Sequence, residues 1–388
     1  MSTCISSHRE MALLWAVNLC AISASTLTYI YLSYYVYLQT ANLIFSQLIL
    51  FAPMILPVIL VAWIYRLSDW LPPRTLLWTT NLMSLISAWI TYQTLPHYTG
   101  VAVGGAIIIG TLDALQRVGR IVAIKCYFPG SQIASSVPLT LTAQFIAGGL
   151  AGLSMMLLKA DMTPDLALKI TGILFATATL AAIMLPASIQ SEGVVRATPK
   201  LIRALAVTLN DYPPVRLTLL RFVLFVSLFQ GFFNVSRVLL PAHVLGLGEA
   251  YVGLLQAVNS IAALVGAVLF YQMNKRGFRL LQLPMPIISS LFMIISARAI
   301  NLETSYAAYF FYIFFFEMAF FKLQADLVRC TPAHAMPLLA SVQYAGVYLG
   351  MIVSIFLGSL LADAVGLFIT SILFSIAYEW ADRLIKTK

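Results

Sequence analysis

Gly110, Asp113, Arg117 and Arg120 follow one another at intervals of three, four and three inside an apolar run. On an α-helix those intervals put all four on one face. A carboxylate and a guanidinium four residues apart are within reach of an internal ion pair. A carboxylate in such surroundings can also take up and release a proton. A guanidinium can grip a carboxylate or a phosphate through two parallel hydrogen bonds. Ser227, Gln230, Asn234 and Arg237 repeat the same intervals, and Asn18, Ser25 and Tyr29 share a face interrupted by Ile22. Glu317 stands in another apolar run, followed by Lys322, Gln324 and Asp326. Neither Glu317 nor Arg237 has an opposite charge one turn away on its own helix. Each therefore needs a partner elsewhere, a change of protonation or a ligand. Asparagine, glutamine and serine stripes also serve helix packing, so both uses stay open for the first stripe, and Asp113 with Arg117 can equally be a purely structural pair.

The elements carrying these residues are apolar throughout. Hydrophobic residues make up 61% of the 388 and charged ones only 10%, against roughly 25% charged in soluble domains. Twelve runs are long enough to span a bilayer, which takes about twenty residues per helix. They are Met11–Leu38, Ala41–Tyr65, Thr75–Leu95, Gly100–Ala123, Ile133–Leu158, Asp165–Leu185, Leu217–Leu240, Ala250–Met273, Leu280–Ile300, Ser305–Leu327, Pro337–Leu361 and Val365–Trp380. Pro284 and Pro286 interrupt the ninth, and the twelfth is short. By residue count Asp113 and Glu317 lie near the middle of their spans.

The net charge of +9 does not point to nucleic acid, because the basic residues sit in short clusters between the apolar runs. Arg9, Arg66, Arg74, Lys125, Arg196, Lys200, Arg203, Arg216, Lys275, Arg276, Arg279, Arg329, Arg383, Lys386 and Lys388 fall on one side. Lys159, Lys169 and Arg298 are the chief exceptions. The bias of basic loops toward the cytoplasm predicts cytoplasmic termini in a bacterial inner membrane. The first run is too long for a signal peptide and lacks a small-residue cleavage site. Tyr29, Tyr31, Tyr34, Tyr35 and Tyr37 read as an interfacial aromatic belt.

The longest polar stretch divides the chain into residues 1–186, a cytoplasmic linker at 187–214 with a short surface helix near Leu201 to Leu209, and residues 215–388. An offset of about 204 to 209 residues brings the halves into register. Tyr65 to Asp69 then matches Tyr271 to Lys275, Lys125-Cys126 matches Arg329-Cys330, and Asp113 falls opposite Glu317. Six helices duplicated as six is the expected all-α architecture.

That architecture resembles the major facilitator superfamily across nearly the whole chain. The family's loop between spans two and three reads Gly-x-x-x-Asp-Arg-x-Gly-Arg-Lys. Here Asp69 and Arg74 fit it, while Tyr65, Trp70, Pro72 and Pro73 replace other positions. Leu239-Leu240-Pro241 and Tyr251-Val252-Gly253-Leu254-Leu255-Gln256-Ala257 resemble siderophore and macrolide exporters of that superfamily over under a tenth of the chain. The resemblance implies two six-helix bundles, spans one, four, seven and ten around a central cavity, and alternating access by rocking. On that basis the proton-coupling candidates are Glu317 and Asp113. The substrate-binding candidates are Arg117, Arg120, Arg237, Asn234, Gln230, Asn18, Tyr29 and Gln256. Asp69, Arg74, Lys322 and Asp326 are gate candidates, a role also open to Arg120. Gly148, Gly149, Gly152, Gly346 and Gly350 are expected where helices approach closely.

No Walker loop, His-Glu-x-x-His or nucleophile elbow occurs, so neither ATP-driven transport nor these enzyme classes are indicated. The four cysteines form no Cys-x-x-Cys pair and the four histidines lie far apart, so no metal site and no cofactor are expected. The expected protein is a monomeric secondary transporter, not an enzyme. It is driven by protons and exports a small carboxylate-bearing or amphipathic molecule such as a siderophore, another metallophore or a drug. Phe232, Phe233, Phe314 and Phe315 are expected as aromatic walls for it. An importer of a metal chelate, or an uncoupled scramblase or receptor on the same fold, is the alternative.

Overall fold

The computed structural model describes residues 3–40, 49, 53–128, 130–158, 163–187, 201–247, 249–276, 284–298 and 300–387. Among them every regular element is helical. In chain order these are α1 (Thr3–Thr40), α2 (Pro53–Ile59), α3 (Val61–Trp70), α4 (Pro73–Thr94), α5 (Val101–Tyr127), α6 (Gly130–Leu158) and α7 (Pro164–Ile183). Then come α8 (Leu201–Asp211), α9 (Pro213–Leu239), a π turn (Leu240–Val244), α10 (Glu249–Lys275), α11 (Met285–Ala297), α12 (Leu302–Cys330), a 3-10 turn (Ala333–Ala335) and α13 (Met336–Thr387).

Prolines and polar caps start these helices. Pro73, Pro164 and Pro213 occupy first turns, where a missing N–H costs nothing. The Thr163 hydroxyl accepts from the Leu166 N–H at 3.2 Å, and the Asn301 side chain accepts from Thr304 at 2.8 Å. The same logic applies in the ninth expected span, whose residues 280–283 lie outside the described residues. Pro284 caps α11 and Pro286 lies in its first turn, so the prolines open the described helix. Two other expected spans also differ in shape. The second bends by 78° between α2 and α3, and its residues 41–48 and 50–52 lie outside the described residues. The eleventh and twelfth are joined in α13, which is broken only at Gly366, where φ is 84°.

Seven described helices are long and apolar enough to cross a membrane, and the bent α2–α3 pair makes an eighth. In sequence, α4, α6, α11 and the part of α13 beyond Gly366 lie at the remaining expected spans. The surface is apolar where a soluble protein's would be polar: Ile173, Leu180, Phe356 and Ile376 all point outward. Lipid rather than water suits such a surface. The chain is a multi-pass, all-helical membrane protein.

The helices form two compact units. Unit 1 comprises Met1–Gly130, Thr140–Thr208 and Pro332–Ala345; unit 2 comprises Ser131–Leu139, Leu209–Thr331 and Gly346–Lys388. In unit 1, α4 packs on α5 and α7, and α1 packs on both α5 and α7. Tyr29, Tyr31, Tyr92 and Phe175 fill the core there, with the Tyr31 and Tyr92 rings 5.6 Å apart. Tyr29 and Tyr31 are thus core residues and do not join the expected interfacial belt, because their side of α1 is covered by its neighbours. The short helix expected near Leu201 is α8, whose Ala204 packs with Tyr65 and Leu338.

In unit 2, α12 packs on α9, α10 and α11. Its centre is aromatic: Phe225, Phe229, Phe316 and Tyr378 contact one another, and Phe232 meets Tyr312 and Phe374. Glycines set the closest approaches. A Cβ on Gly346 would meet Val223 at 3.3 Å, and one on Gly350 would collide with Ser227. Gly148 and Gly149 on α6 differ from expectation: they are exposed, and a Cβ on either would meet nothing within 4 Å.

Candidate functional site

The charged face of α5 lies against α1 inside unit 1. The Arg120 Nη1 group donates to Asn18 Oδ1 at 3.4 Å. Ten residues earlier on α5, a Cβ on Gly110 would stand 3.5 Å from the Tyr29 hydroxyl. The two meeting points, 18 with 120 and 29 with 110, show the helices running antiparallel, since the numbers fall on one as they rise on the other. Ser25 then comes level with Asp113, and Ile22 with the turn at 116–117. The three polar positions of α1 and the four of α5 therefore share one seam.

Within that seam Arg117 Nε donates to Asp113 Oδ2 at 2.8 Å, with the two side chains 24% and 4% exposed. The four-residue spacing places them one turn apart, which suits this contact. The second Asp113 oxygen is buried and has no hydrogen-bond partner among the described residues. Arg120 and Asn18 are each 1% exposed. A polar contact that sequence reasoning did not single out adjoins them. Gln116 Nε2 donates to Asn81 Oδ1 at 2.7 Å, and Asn81 Nδ2 donates to the Leu77 carbonyl at 2.8 Å. An asparagine inside the apolar third span was the available signal. Its partner depended on how α4 meets α5.

In unit 2 Glu317 lies on α12 and is 7% exposed. Its Oε2 has no hydrogen-bond partner among the described residues. Gly266 of α10 allows the close approach there: a Cβ on it would sit 3.3 Å from Glu317 Cβ and 3.1 Å from the Phe314 carbonyl. Arg237, in the last turn of α9, is exposed, with its guanidinium 5.8 Å from the Phe233 ring centre. Among the described ion pairs neither Glu317 nor Arg237 takes part.

The rest of the α9 stripe is largely engaged in packing. The Ser227 hydroxyl donates to the Val347 carbonyl at 3.3 Å, and Asn234 Nδ2 donates to the Gln230 carbonyl of its own helix at 2.7 Å. Gln230 is half-buried. The Gln256 side chain lies outside the described residues. Phe232 and Phe233 are core residues rather than walls of an open cavity, because Tyr312, Phe374 and Tyr309 cover them. Phe315 stacks on Phe292.

The gate candidates other than Arg120 lie on α3, α4 and α12. Arg74 Nη2 donates to the Ile183 carbonyl at 2.5 Å, and a cleft of about 370 Å³ opens there between Pro72, Arg74, Thr75, Trp78, Ile183 and Ala187. Asp69 is half-buried at the end of α3, as is Lys322 on α12. Asp326 pairs with Arg329, three residues on along the same helix, at 2.7 Å. Arg221 and Asp382 form a further pair that was not foreseen, joining α9 to the end of α13 at 2.7 Å. Their separation of 161 residues hides it from any local pattern.

No family model matches the chain, and no curated protein matches its sequence. Solved structures do match in shape. The human organic anion transporter MFSD10 superposes with a TM-score of 0.80 at 12% identity, covering 98% of this chain and 99% of that one. FucP, a major facilitator superfamily transporter in its outward conformation, gives 0.77 at 15% identity over 98% and 99%. The chain has the major facilitator fold. A bacterial homologue of the iron transporter ferroportin, in its outward-facing state, gives 0.76 at 10% identity, covering 98% of this chain and all of that one. At these identities the likeness is one of fold, and the siderophore and macrolide exporter resemblance is not among the matches described.

Proposed function

We propose that this chain is a proton-coupled secondary transporter that exports a small organic molecule bearing a carboxylate or similar anionic group. The observation that carries the reading is the placement of Asp113, Arg117, Arg120 and Glu317 inside apolar helices of a major facilitator fold. Ionisable residues at such depth are costly and are rarely kept without use. The guanidinium groups suit an anionic cargo. Glu317, a buried carboxylate outside the described ion pairs, suits a proton that comes and goes.

The neighbours' own descriptions agree in kind. One is an organic anion transporter, and FucP from E. coli is a fucose:proton symporter. Export follows from the exporter-like segments around Pro241 and Tyr251. Cytoplasmic termini and an inner-membrane location follow from the distribution of Lys and Arg. Reconstitution tests the reading. Proteoliposomes with an imposed proton gradient should concentrate candidate organic anions against their own gradient. Movement that only equalises concentrations, whatever the proton gradient, would replace the transporter with an uncoupled scramblase or receptor.

A further inference from the structure

Arg120 is almost wholly buried, yet only one of its nitrogens is engaged. Nη1 reaches Asn18 at 3.4 Å, while Nε and Nη2 have no hydrogen-bond partner among the described residues. The Asn18 amide nitrogen is likewise buried and without a partner. Nor does Arg120 take part in any of the described ion pairs. Asp113 is held by Arg117 and lies seven residues from Arg120, about 10 Å along the helix axis at 1.5 Å per residue. Glu10 lies eight residues before Asn18, about 12 Å along α1 by the same rise. Asp165 pairs with Lys169. Asp69, on α3, forms none of the described ion pairs with Arg120 either. A buried guanidinium without a counter-ion is strongly unfavourable, so the Arg120 end of this seam is built to receive a negative charge that no described ion pair supplies.

The identity of the open nitrogens narrows the ligand. Nε–H and Nη2–H point the same way from one edge of the guanidinium plane, and their spacing matches the two oxygens of a carboxylate. A spherical anion offers the two N–H groups one shared acceptor, whereas a carboxylate gives each its own oxygen. We infer that Arg120 and Asn18 form a carboxylate site inside unit 1, with the Arg120 edge gripping both oxygens and Asn18 Nδ2 donating a third hydrogen bond. The fork is shut off from solvent in this arrangement, so neighbouring side chains must move to admit the ligand. The site deepens the transport reading by assigning the anionic end of the cargo, and it rests on that reading only for where the carboxylate comes from.

The test uses the full-length protein in detergent, with thermal unfolding followed at constant ionic strength in sodium chloride, acetate or benzoate. Acetate stands for a free small carboxylate and benzoate for one borne on an apolar body. At least one of the two should raise the unfolding temperature saturably, with chloride weaker by about tenfold in apparent affinity. A response to acetate assigns the site to free carboxylates, and a response to benzoate alone assigns it to a larger organic acid. Arg120→Lys keeps the charge but removes the fork, so carboxylate and chloride should become equivalent. Asn18→Asp places a carboxylate beside Arg120, so it should raise the unfolding temperature in chloride and abolish the acetate or benzoate response. Wild-type protein that responds equally to all three anions, or a carboxylate response that survives Arg120→Lys, overturns the site. Binding is read without a bilayer or a gradient, so a failure of transport leaves this result standing, and the reverse also holds.

Discussion

Two buried carboxylates face different company. Asp113 has a guanidinium 2.8 Å away, whereas Glu317 takes no part in the described ion pairs and is enclosed by the packing of α10. A charged, unpartnered carboxylate at such depth costs several kcal/mol, so exchange of a proton falls more naturally to Glu317. Glu317→Gln is expected to abolish gradient-driven accumulation in proteoliposomes while sparing binding and downhill exchange. Full accumulation by that variant would transfer the coupling role to Asp113. Arg117→Ala strands Asp113 in a buried position and should destabilise the protein by about 3 kcal/mol. Adding Asp113→Asn should restore most of that stability, measured by thermal or denaturant unfolding. If transport returns together with stability, Arg117 has only a structural role. If stability returns without transport, while Asp113→Asn alone still transports, Arg117 also acts on the cargo.

At the scale of helices, small residues and one long-range ion pair set how the elements meet. Gly350 lets α13 lie directly on Ser227 of α9, and a Cβ there has no room. Gly350→Val should cost about 1–3 kcal/mol through overpacking, visible as a lower unfolding temperature. Gly148→Ala on α6, which meets open space, should be close to neutral in the same assay. The Arg221–Asp382 pair ties α9 to the end of α13, with Asp382 7% exposed. Arg221→Ala leaves that carboxylate buried without its partner and should cost about 3–5 kcal/mol. The paired change Arg221→Met with Asp382→Leu should recover most of it, because it removes the buried charge altogether. Equal losses in the single and double variants would show that the pair contributes little beyond packing.

For the molecule as a whole, the testable property is orientation. Basic residues gather in loops on one side of the twelve-span reading, so both termini and the 187–214 segment are expected in the cytoplasm. A reporter that works only in the cytoplasm should remain active when fused after Lys388 or within that segment. One that works only outside should be active near His97. An active external reporter at the C-terminus would overturn the twelve-span topology.

The apolar runs, their lengths and the spacing of Gly110, Asp113, Arg117 and Arg120 determined by themselves that this is a helical membrane protein with a charged helix face. A bilayer leaves long apolar segments little choice, since backbone groups must pair within the segment, and a helix imposes its period on any polar stripe. The Asp113–Arg117 contact was legible for the same reason, being confined to one turn. Tertiary packing decided the rest. Whether Tyr31 faced lipid or core, whether Ser227 lined a cavity or held α13, and which residue faced Asn81 all turned on neighbouring helices far away in sequence. The prolines at 284 and 286 began a helix, and Gly366 bent one, because backbone conformation depends on where in a helix the residue falls. The open edge of Arg120 was beyond sequence altogether. That an arginine is present can be read from one letter, but which of its nitrogens lack partners depends on every helix packed around it.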